Sequence, residues 1–572
     1  MFDFSITALS FKDGTQQELP TGGVTVFVGP NNSGKSLTLR EIESILEHGT
    51  VRRGTRIAVE DVITSRSGTL DDFIQWIESR GWRPTVDRQN STVFYGMREH
   101  RLTKDAIAAT WNSGRPLGQL RSILLSTLPP VNRLQLNGGA TNYDRLIEAA
   151  EHPLQFLADN PILMQRLNEL TEKAFGTKIS INPYSQQYVL RLGSVSRVNT
   201  PPPPPIELLE EYENLPTLSA QGDGVNAFIG LLLYTIVRGE KLVLIDEPEA
   251  FLHPPQARLL GRILVDETDI NSQLIIATHS QDFLQGILES TKRPVQIIRL
   301  NVDTNGSRSR VTMSPAEVKE LWGDPLLRYS NLLDGLFHRG VVVCEGDSDC
   351  RFYSAVLDQV MEERRDSDLL FTHVGGKARI KKAIEQLRRF GVPVVALADI
   401  DLLNDARLLR EIISSAGGDW DNFKISHQVL TSALSSGKTA PKYSDLAGVV
   451  KKISKANAND HLPLDLAKEI REALKGESGW SNLKKSGLQS LPGGEVFMAA
   501  KTMLDQLKEL GIFVVPVGEL ERWVPEVSAA DKHRWLVEIL EEGYHARPSQ
   551  ELSQFVLEWA KYLGITPSGD SL

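Results

Sequence analysis

The chain has 572 residues, enough for two to four domains, with an ordinary globular composition of 41% hydrophobic and 24% charged residues. A net charge of −10 excludes a uniformly basic nucleic-acid coat, although not a local basic groove, since binding depends on where the charge sits. The two cysteines, Cys344 and Cys350, give no disulfide framework and no metal-ligand spacing, and read as small core fillers in a reducing compartment. No apolar stretch is long enough to span a bilayer, and the start lacks a charged run followed by a long apolar one. A soluble cytoplasmic protein with no membrane partner is expected.

The first element of chemical interest is the strand Val24-Thr25-Val26-Phe27-Val28, which feeds Gly29-Pro30-Asn31-Asn32-Ser33-Gly34-Lys35-Ser36. This is G-x-x-x-x-G-K-S in full, and Leu39, Ile42 and Leu46 behind it lie on one helical face. Strand before and helix after are the context a phosphate-binding loop requires. Backbone N–H groups from Gly29, Asn32, Ser33 and Gly34 and the helix N-terminus can cradle phosphates. Lys35 would reach the β- and γ-phosphates of ATP, and Ser36 would hold Mg²⁺.

Residues 50–200 read as an insert. Arg52, Arg53 and Arg56 form a small basic cluster, read as a solvated face rather than a nucleic-acid contact. Leu124–Leu136 is apolar and returns to the core, residues 152–175 have an amphipathic helical pattern, and Ile179–Val195 alternates as a hairpin does. Pro201–Pro205 is a stiff spacer. Leu218-Ser219-Ala220-Gln221-Gly222-Asp223-Gly224 precedes an apolar helix from Phe228 to Val237. The strand Lys241–Ile245 ends in Asp246-Glu247-Pro248, and the strand Leu274–Ala277 ends in Thr278-His279-Ser280. In a phosphate-loop architecture Asp246 would help hold Mg²⁺, Glu247 would polarise the attacking water, and His279 would sense the γ-phosphate.

This set, in this order, resembles an ABC-type ATPase of the branch that includes SMC, RecF and the OLD (overcoming lysogenisation defect) nucleases. The resemblance covers residues 1–300. It implies that a signature element of one subunit closes over ATP held by another, so a homodimer or higher homo-oligomer is expected. The usual Leu-Ser-Gly-Gly signature is replaced. Counting back from Asp246 puts Asp223-Gly224 at that position, with Gly224 as the nucleotide-facing residue and an aspartate where serine is usual, which bears on ATP turnover.

Residues 301–338 read as connecting helices, with a turn at Asn305-Gly306-Ser307 and a helix over Leu326–Gly340. Then Val341-Val342-Val343-Cys344 forms a buried strand that delivers Glu345, followed by Gly346, Asp347 and Asp349 and a helix carrying Tyr353, Val356, Leu357 and Val360. His373-Val374-Gly375-Gly376-Lys377 permits a tight strand-to-helix exit that leaves Lys377 near the acidic edge. A second strand, Val392–Ala398, ends in Asp399-Ile400-Asp401. Two parallel strands ending in Glu and Asp-x-Asp set three carboxylates at one sheet edge, where an open α/β sheet binds its ligand, and hard oxygens suit Mg²⁺.

Residues 402–500 read as a helical insertion with lysines at 438, 442, 451, 452, 484 and 485. Interleaved with Trp480 these could contact a nucleic-acid backbone, but a solvated face is the preferred reading. Gly511–Val517 is a final strand leading into Gly518-Glu519-Leu520-Glu521-Arg522-Trp523, and residues 536–572 read as a helical tail with an amphipathic piece from Leu552 to Leu563.

Residues 339–535 resemble a Toprim domain, the metal-binding fold of topoisomerases, primases and certain nucleases. The fold class is therefore α/β: an SMC/RecF-like ATPase domain followed by a Toprim domain with a helical insertion. The combination resembles an OLD-family ATP-dependent endonuclease, similar in build to the nuclease subunit of the Gabija anti-phage system. The resemblance implies that Glu345, Asp349, Asp399, Asp401 and Glu521 (Glu519 as the alternative) hold two Mg²⁺ or Mn²⁺ ions. It also implies that Lys532 neutralises the phosphate. Three functions follow for comparison: a DNA endonuclease gated by ATP in anti-phage defence, with a separate partner protein from the same system; an ATPase-gated toxin cutting RNA such as tRNA; and a non-catalytic SMC-like DNA clamp.

Overall fold

A computed structural model describes residues 2–49, 57–79, 84–87, 92–97, 100–113, 117–135, 138–145, 150, 152–196, 201, 203–302, 307–325, 331–361, 368–435, 443–454, 461–474, 478–527 and 532–565. The Arg52, Arg53 and Arg56 cluster, the Asn305-Gly306 turn, residues 326–330, Lys438 and Lys442 lie outside them. The chain divides into two compact units, Met1–Phe337 and His338–Leu572.

In the first unit, short and mostly apolar runs form the central strands of one six-stranded sheet, and a more polar run forms its edge strand β8. The strands are β2 (Val24–Val28), β4 (Leu125–Leu128), β5 (Leu242–Asp246), β6 (Gln273–Ala277), β7 (Val295–Val302) and β8 (Arg308–Met313), in the order β8-β7-β2-β6-β5-β4. All neighbours are parallel except β7 and β8. Continuous apolar runs such as Leu274-Ile275-Ile276 are what a parallel sheet covered on both faces demands, and these residues are fully buried. A separate antiparallel sheet pairs β1 (Asp3–Phe11) with β3 (Val59–Ser67). Helix α1 (Lys35–His48) packs Leu39, Ile42, Ile45 and Leu46 into the core between these elements. Gly49 ends it at φ 73°, donating its N–H to the Ile45 carbonyl, a left-handed cap that glycine adopts at little cost.

The insert contains the expected amphipathic helices, Pro153–Asp159 and Pro161–Phe175, and the expected hairpin, Ile179–Ile181 with Leu190–Leu192. Helix α2 (Asp223–Leu232) runs on through a π-helical turn over Leu233–Val237. Residues 301–338 differ from expectation. They contain β8, a helix over Pro315–Trp322 and a 3₁₀ turn over Asn331–Phe337, and up to Phe337 they belong to the first unit. The reason is packing: β8 completes the sheet edge, and the buried Arg299 donates from Nε to the Leu336 carbonyl.

The second unit is built on a four-stranded all-parallel sheet of β9 (Gly340–Cys344), β10 (Leu369–His373), β11 (Val394–Ala398) and β12 (Ile512–Val514), in the order β10-β9-β11-β12. Helix α3 (Asp347–Val360) follows β9 directly. The stretch between β11 and β12 is the helical insertion, whose helix α4 (Gly479–Ser486) returns to the sheet edge. The region read as a tail is part of the core instead. Helices α5 (Lys532–Glu541) and α6 (Gln550–Tyr562) place Trp535, Phe555 and Trp559 against Phe352, Tyr353 and Phe513. Full burial of side chains of this size stabilises by about 1.5–3 kcal/mol each, which a loose appendage would forgo. Among the described residues no helix is long and apolar enough to cross a membrane.

Candidate functional site

Each unit gathers its chemistry at the C-terminal edge of its parallel strands. In the first, Asp246 at the end of β5 registers with Ala277 of β6, and Ala277 with Phe27 of β2. Register therefore brings the phosphate loop, Asp246-Glu247 and Thr278-His279 to one edge. The loop's shape needs glycine at Gly29 (φ 144°), where a Cβ would lie 2.3 Å from the Leu300 carbonyl oxygen. Lys35 Nζ donates to the carbonyls of Gly29 (2.7 Å) and Pro30 (3.0 Å), curled over the loop it would serve. Ser36 Oγ donates to Asp246 Oδ1 at 2.9 Å, so the two residues read as Mg²⁺ holders touch across the sheet edge. Ser33 Oγ is buried with no hydrogen-bond partner among the described residues, and Asn32 takes the left-handed conformation at φ 62°. Buried polar groups are normally satisfied, so the loop contains a polar group suited to a ligand.

Glu247 sits at φ 47°, a left-handed conformation that costs a non-glycine residue energy, and its N–H donates to the Ala277 carbonyl at 2.8 Å. His279 Nδ1 lies 3.6 Å from Glu247 Oε1 and 3.3 Å from Glu249 Oε1. Glu249 escaped the reading of the sequence, where it is only the last carboxylate of Asp246-Glu247-Pro248-Glu249. It is 7% exposed. Its Oε1 also accepts from Thr278 Oγ1 (2.8 Å) and the His279 N–H (2.9 Å), while its Oε2 is buried with no hydrogen-bond partner among the described residues. Burial pushes its carboxyl above the usual range, against the opposing pull of His279. Gly224, one residue into α2, is placed against the turn that follows: a Cβ there would lie 2.7 Å from the Phe251 carbonyl oxygen.

In the second unit, Glu345 follows β9 and Asp399 follows β11, and the two meet: the Asp399 N–H donates to Glu345 Oε1 at 3.1 Å. Asp399 Oδ1 accepts from the Leu520 N–H at 3.3 Å, which ties the Glu519–Trp523 segment to the same edge. Asp349 lies in the first turn of α3, where its Oδ2 accepts from the Gly346 N–H (2.9 Å) and its Oδ1 from Lys532 Nζ (3.3 Å). Asp401 is gripped by two lysines, Lys377 on Oδ1 at 3.0 Å and Lys484 on Oδ2 at 3.1 Å. Glu521 is 8% exposed on a 3₁₀ turn that Trp523 anchors by donating from Nε1 to the Tyr353 hydroxyl at 3.0 Å.

The electrostatics split these carboxylates. Burial, opposed by Lys532 and reinforced by Glu345 and Asp349, pushes the Asp399 carboxyl up to about 8. Burial also raises Glu345 and Glu521. For Asp401 burial is outweighed by Lys377 and Lys484, which hold it below the usual range. Lys532 and Lys484 are both raised, because their carboxylate neighbours outweigh burial. Glu521 has Lys532 and Asp349 among its electrostatic neighbours, whereas Glu519 pairs with Arg522 (3.3 Å) and lies 3.9 Å from Lys484. All the candidate donors are carboxylate oxygens, the hard ligands that Mg²⁺ and Mn²⁺ take. Among the described residues no three His, Cys, Asp or Glu side chains already surround one point at metal-binding spacing. The acids are gathered, and lysines hold Asp349 and Asp401.

The family profile described as "AAA domain, putative AbiEii toxin, Type IV TA system" matches residues 146–284. The profile described as "Overcoming lysogenization defect protein-like, TOPRIM domain" matches residues 336–401, the segment that carries Glu345, Asp399 and Asp401. The chain joins an AAA-type ATPase domain to an OLD-like Toprim domain. Such a pair implies use of a nucleotide and of divalent metal. The Old nuclease of Escherichia phage P2 is 29% identical over 178 residues, covering 30% of this chain and 29% of that protein. Protein ea59 of Escherichia phage lambda is 41% identical over 90 residues, covering 13% of this chain and 17% of that protein. The chain thus spans less than a third of the length of the curated relatives it matches. A solved Smc head domain with an extended coiled coil, bound to the C-terminal domain of ScpA derived from Pyrococcus furiosus, is 12% identical with a TM-score of 0.34, covering 56% of this chain and 99% of that one.

Proposed function

We propose that this OLD-type ATPase–Toprim chain is a divalent-metal-dependent endonuclease that hydrolyses DNA phosphodiester bonds under the control of its ATPase. The observation that carries the reading is the hydrogen bond from the Asp399 N–H to Glu345 Oε1 at 3.1 Å, which joins the two strand ends, with Asp349, Asp401 and Glu521 on the same edge and Lys532 beside them. Glu345, Asp349, Asp399, Asp401 and Glu521 would hold Mg²⁺ or Mn²⁺. The fit rests on a donor set made only of carboxylates, and on a buried Asp399 that keeps its proton near neutral pH until a cation compensates its charge. Bound metal supplies charge for the attacking and leaving oxygens of the phosphodiester. Lys532, held by Asp349, would bring an ammonium to the phosphate oxygen that gains charge.

In the first unit, Gly29, Asn32, Ser33, Gly34 and Lys35 would bind the phosphates of ATP, with Ser36 and Asp246 at its Mg²⁺. Glu247 would orient the attacking water and His279 would contact the γ-phosphate. Gly224 would close over ATP held by a second copy of the chain, which makes a homodimer the smallest working unit. A role in anti-phage defence, in the cytoplasm and beside a separate partner protein, is part of the same reading and rests on the family resemblance alone.

The test is a substrate panel. Supercoiled plasmid, linear duplex and bulk tRNA are incubated with the purified protein and Mg²⁺ or Mn²⁺, with and without ATP. Metal-dependent cutting of DNA is expected. Cutting of tRNA alone would replace this reading with that of an RNA-cleaving toxin. DNA binding without any cutting would leave a clamp.

A further inference from the structure

We propose that Lys484, carried by the helical insertion, is a phosphate-binding residue of the Toprim site. With Lys377 it would take the backbone phosphate of a nucleic-acid strand next to the bond being cut. The proposal rests on the reading of this site as a nuclease. Its observation is a pairing the sequence separates widely: Lys377 and Lys484 each hold one oxygen of the same carboxylate, Asp401, at 3.0 and 3.1 Å. One aspartate needs one cation. The second is supplied by an inserted helix and has Asp399 and Glu519 as further electrostatic neighbours.

The helix end that carries Lys484 is fixed with unusual tightness. Gly518 takes φ +115°, and a Cβ on it would lie 2.2 Å from the Lys484 carbonyl oxygen. Gly487, three residues on, takes φ +61°, and a Cβ there would lie 2.3 Å from the Pro516 carbonyl oxygen. The Leu488 N–H donates to that same carbonyl at 2.9 Å, and the Ile400 N–H, next to both aspartates, donates to the Gly518 carbonyl at 2.9 Å. Two backbone approaches that only glycine allows therefore set the distance between Lys484 and the Asp399–Asp401 turn. The lysine side chains themselves stay accessible, Lys484 at 39% and Lys377 at 31%. Ion pairs this exposed contribute little to stability, so folding alone gives weak reason for the arrangement. Ammonium groups on flexible stems can turn from a carboxylate to an incoming phosphate, which they bind as point charges.

The experiment uses the full chain in an Asp399→Ala background, which keeps the probe uncut. Binding of a short fluorescent DNA duplex is followed by anisotropy from 50 to 300 mM KCl. Lys484→Ala is expected to weaken binding about tenfold at low salt and to reduce the slope of log K against log salt by about one, while Lys484→Arg restores both. Equal affinity and slope in Lys484→Ala, with the Asp399→Ala parent binding normally, overturns the role of Lys484 and leaves the nuclease reading standing. A parent that binds no nucleic acid, together with a wild type that cuts none, overturns both. Unchanged nucleotide binding and urea unfolding of Lys484→Ala would show that the fold is intact.

Discussion

Asp399→Asn should make the C-terminal unit more stable relative to wild type as pH rises, by an amount set by burial. The carboxyl is pushed from its ordinary value of 3.8 up to about 8 in the folded, metal-free protein. Between those values the unfolded chain has lost this proton and the folded chain still holds it. Rising pH therefore favours the unfolded state, at about 1.4 kcal/mol per pH unit. Asparagine fills the same space and cannot ionise, so the variant lacks this loss. From pH 5 to pH 8 the stability gap should widen in favour of Asp399→Asn by about 4 kcal/mol, and above pH 8 it should level off. The assay is urea unfolding in EDTA at a series of pH values. The C-terminal unit is followed through fluorinated tryptophan signals of the fully buried Trp535 and Trp559. A gap that stays flat from pH 5 to 8 would falsify the claim that Asp399 is protonated in the metal-free protein.

Three further substitutions test other parts of the account. Lys35→Ala should abolish binding of a fluorescent ATP analogue, because Lys35 is the cation of the phosphate loop; wild-type affinity would remove it from the site. Glu249→Gln should lower ATP turnover by about ten- to a hundredfold while changing ATP affinity little, since Glu249 holds the His279 backbone and faces its ring; an unchanged kcat would make Glu249 purely structural. Gly518→Ala should cost roughly 1–3 kcal/mol in urea unfolding, because the new Cβ meets the Lys484 carbonyl at 2.2 Å; wild-type stability would mean that α4 moves freely on the turn.

What the sequence revealed was mostly what is local. The phosphate loop could be read because strand, glycines, lysine and helix follow one another within a few residues, and the structure has β2, the loop and α1 in that order. Glu345 and Asp399 could be placed at neighbouring strand ends because each closes an apolar strand, and in parallel pairing such ends share an edge. Lys484 could not be placed. Its grip on Asp401 spans 83 residues and depends on two glycine approaches, so its surrounding sequence reads only as a charged helix. Residues 536–565 were misread for a related reason: an amphipathic helix shows an apolar face but not what covers it, and here α3 and the sheet do. Residues 301–338 lack the long apolar run of a central strand, because β8 is an edge strand whose burial is mostly partial. Glu249 stayed hidden because its neighbours in sequence carry the motif, while its partners Thr278 and His279 lie 29 and 30 residues away.

The measurement that tests the central claim most directly is nicking of supercoiled plasmid by wild type, Asp399→Ala and Glu345→Ala side by side in Mn²⁺, each repeated with EDTA. Metal-dependent nicking by wild type is expected, with a loss of at least about a hundredfold in both variants, whose ATP binding stays normal. Nicking by Asp399→Ala at the wild-type rate would contradict it, and would place the chemistry away from the Glu345–Asp399 edge.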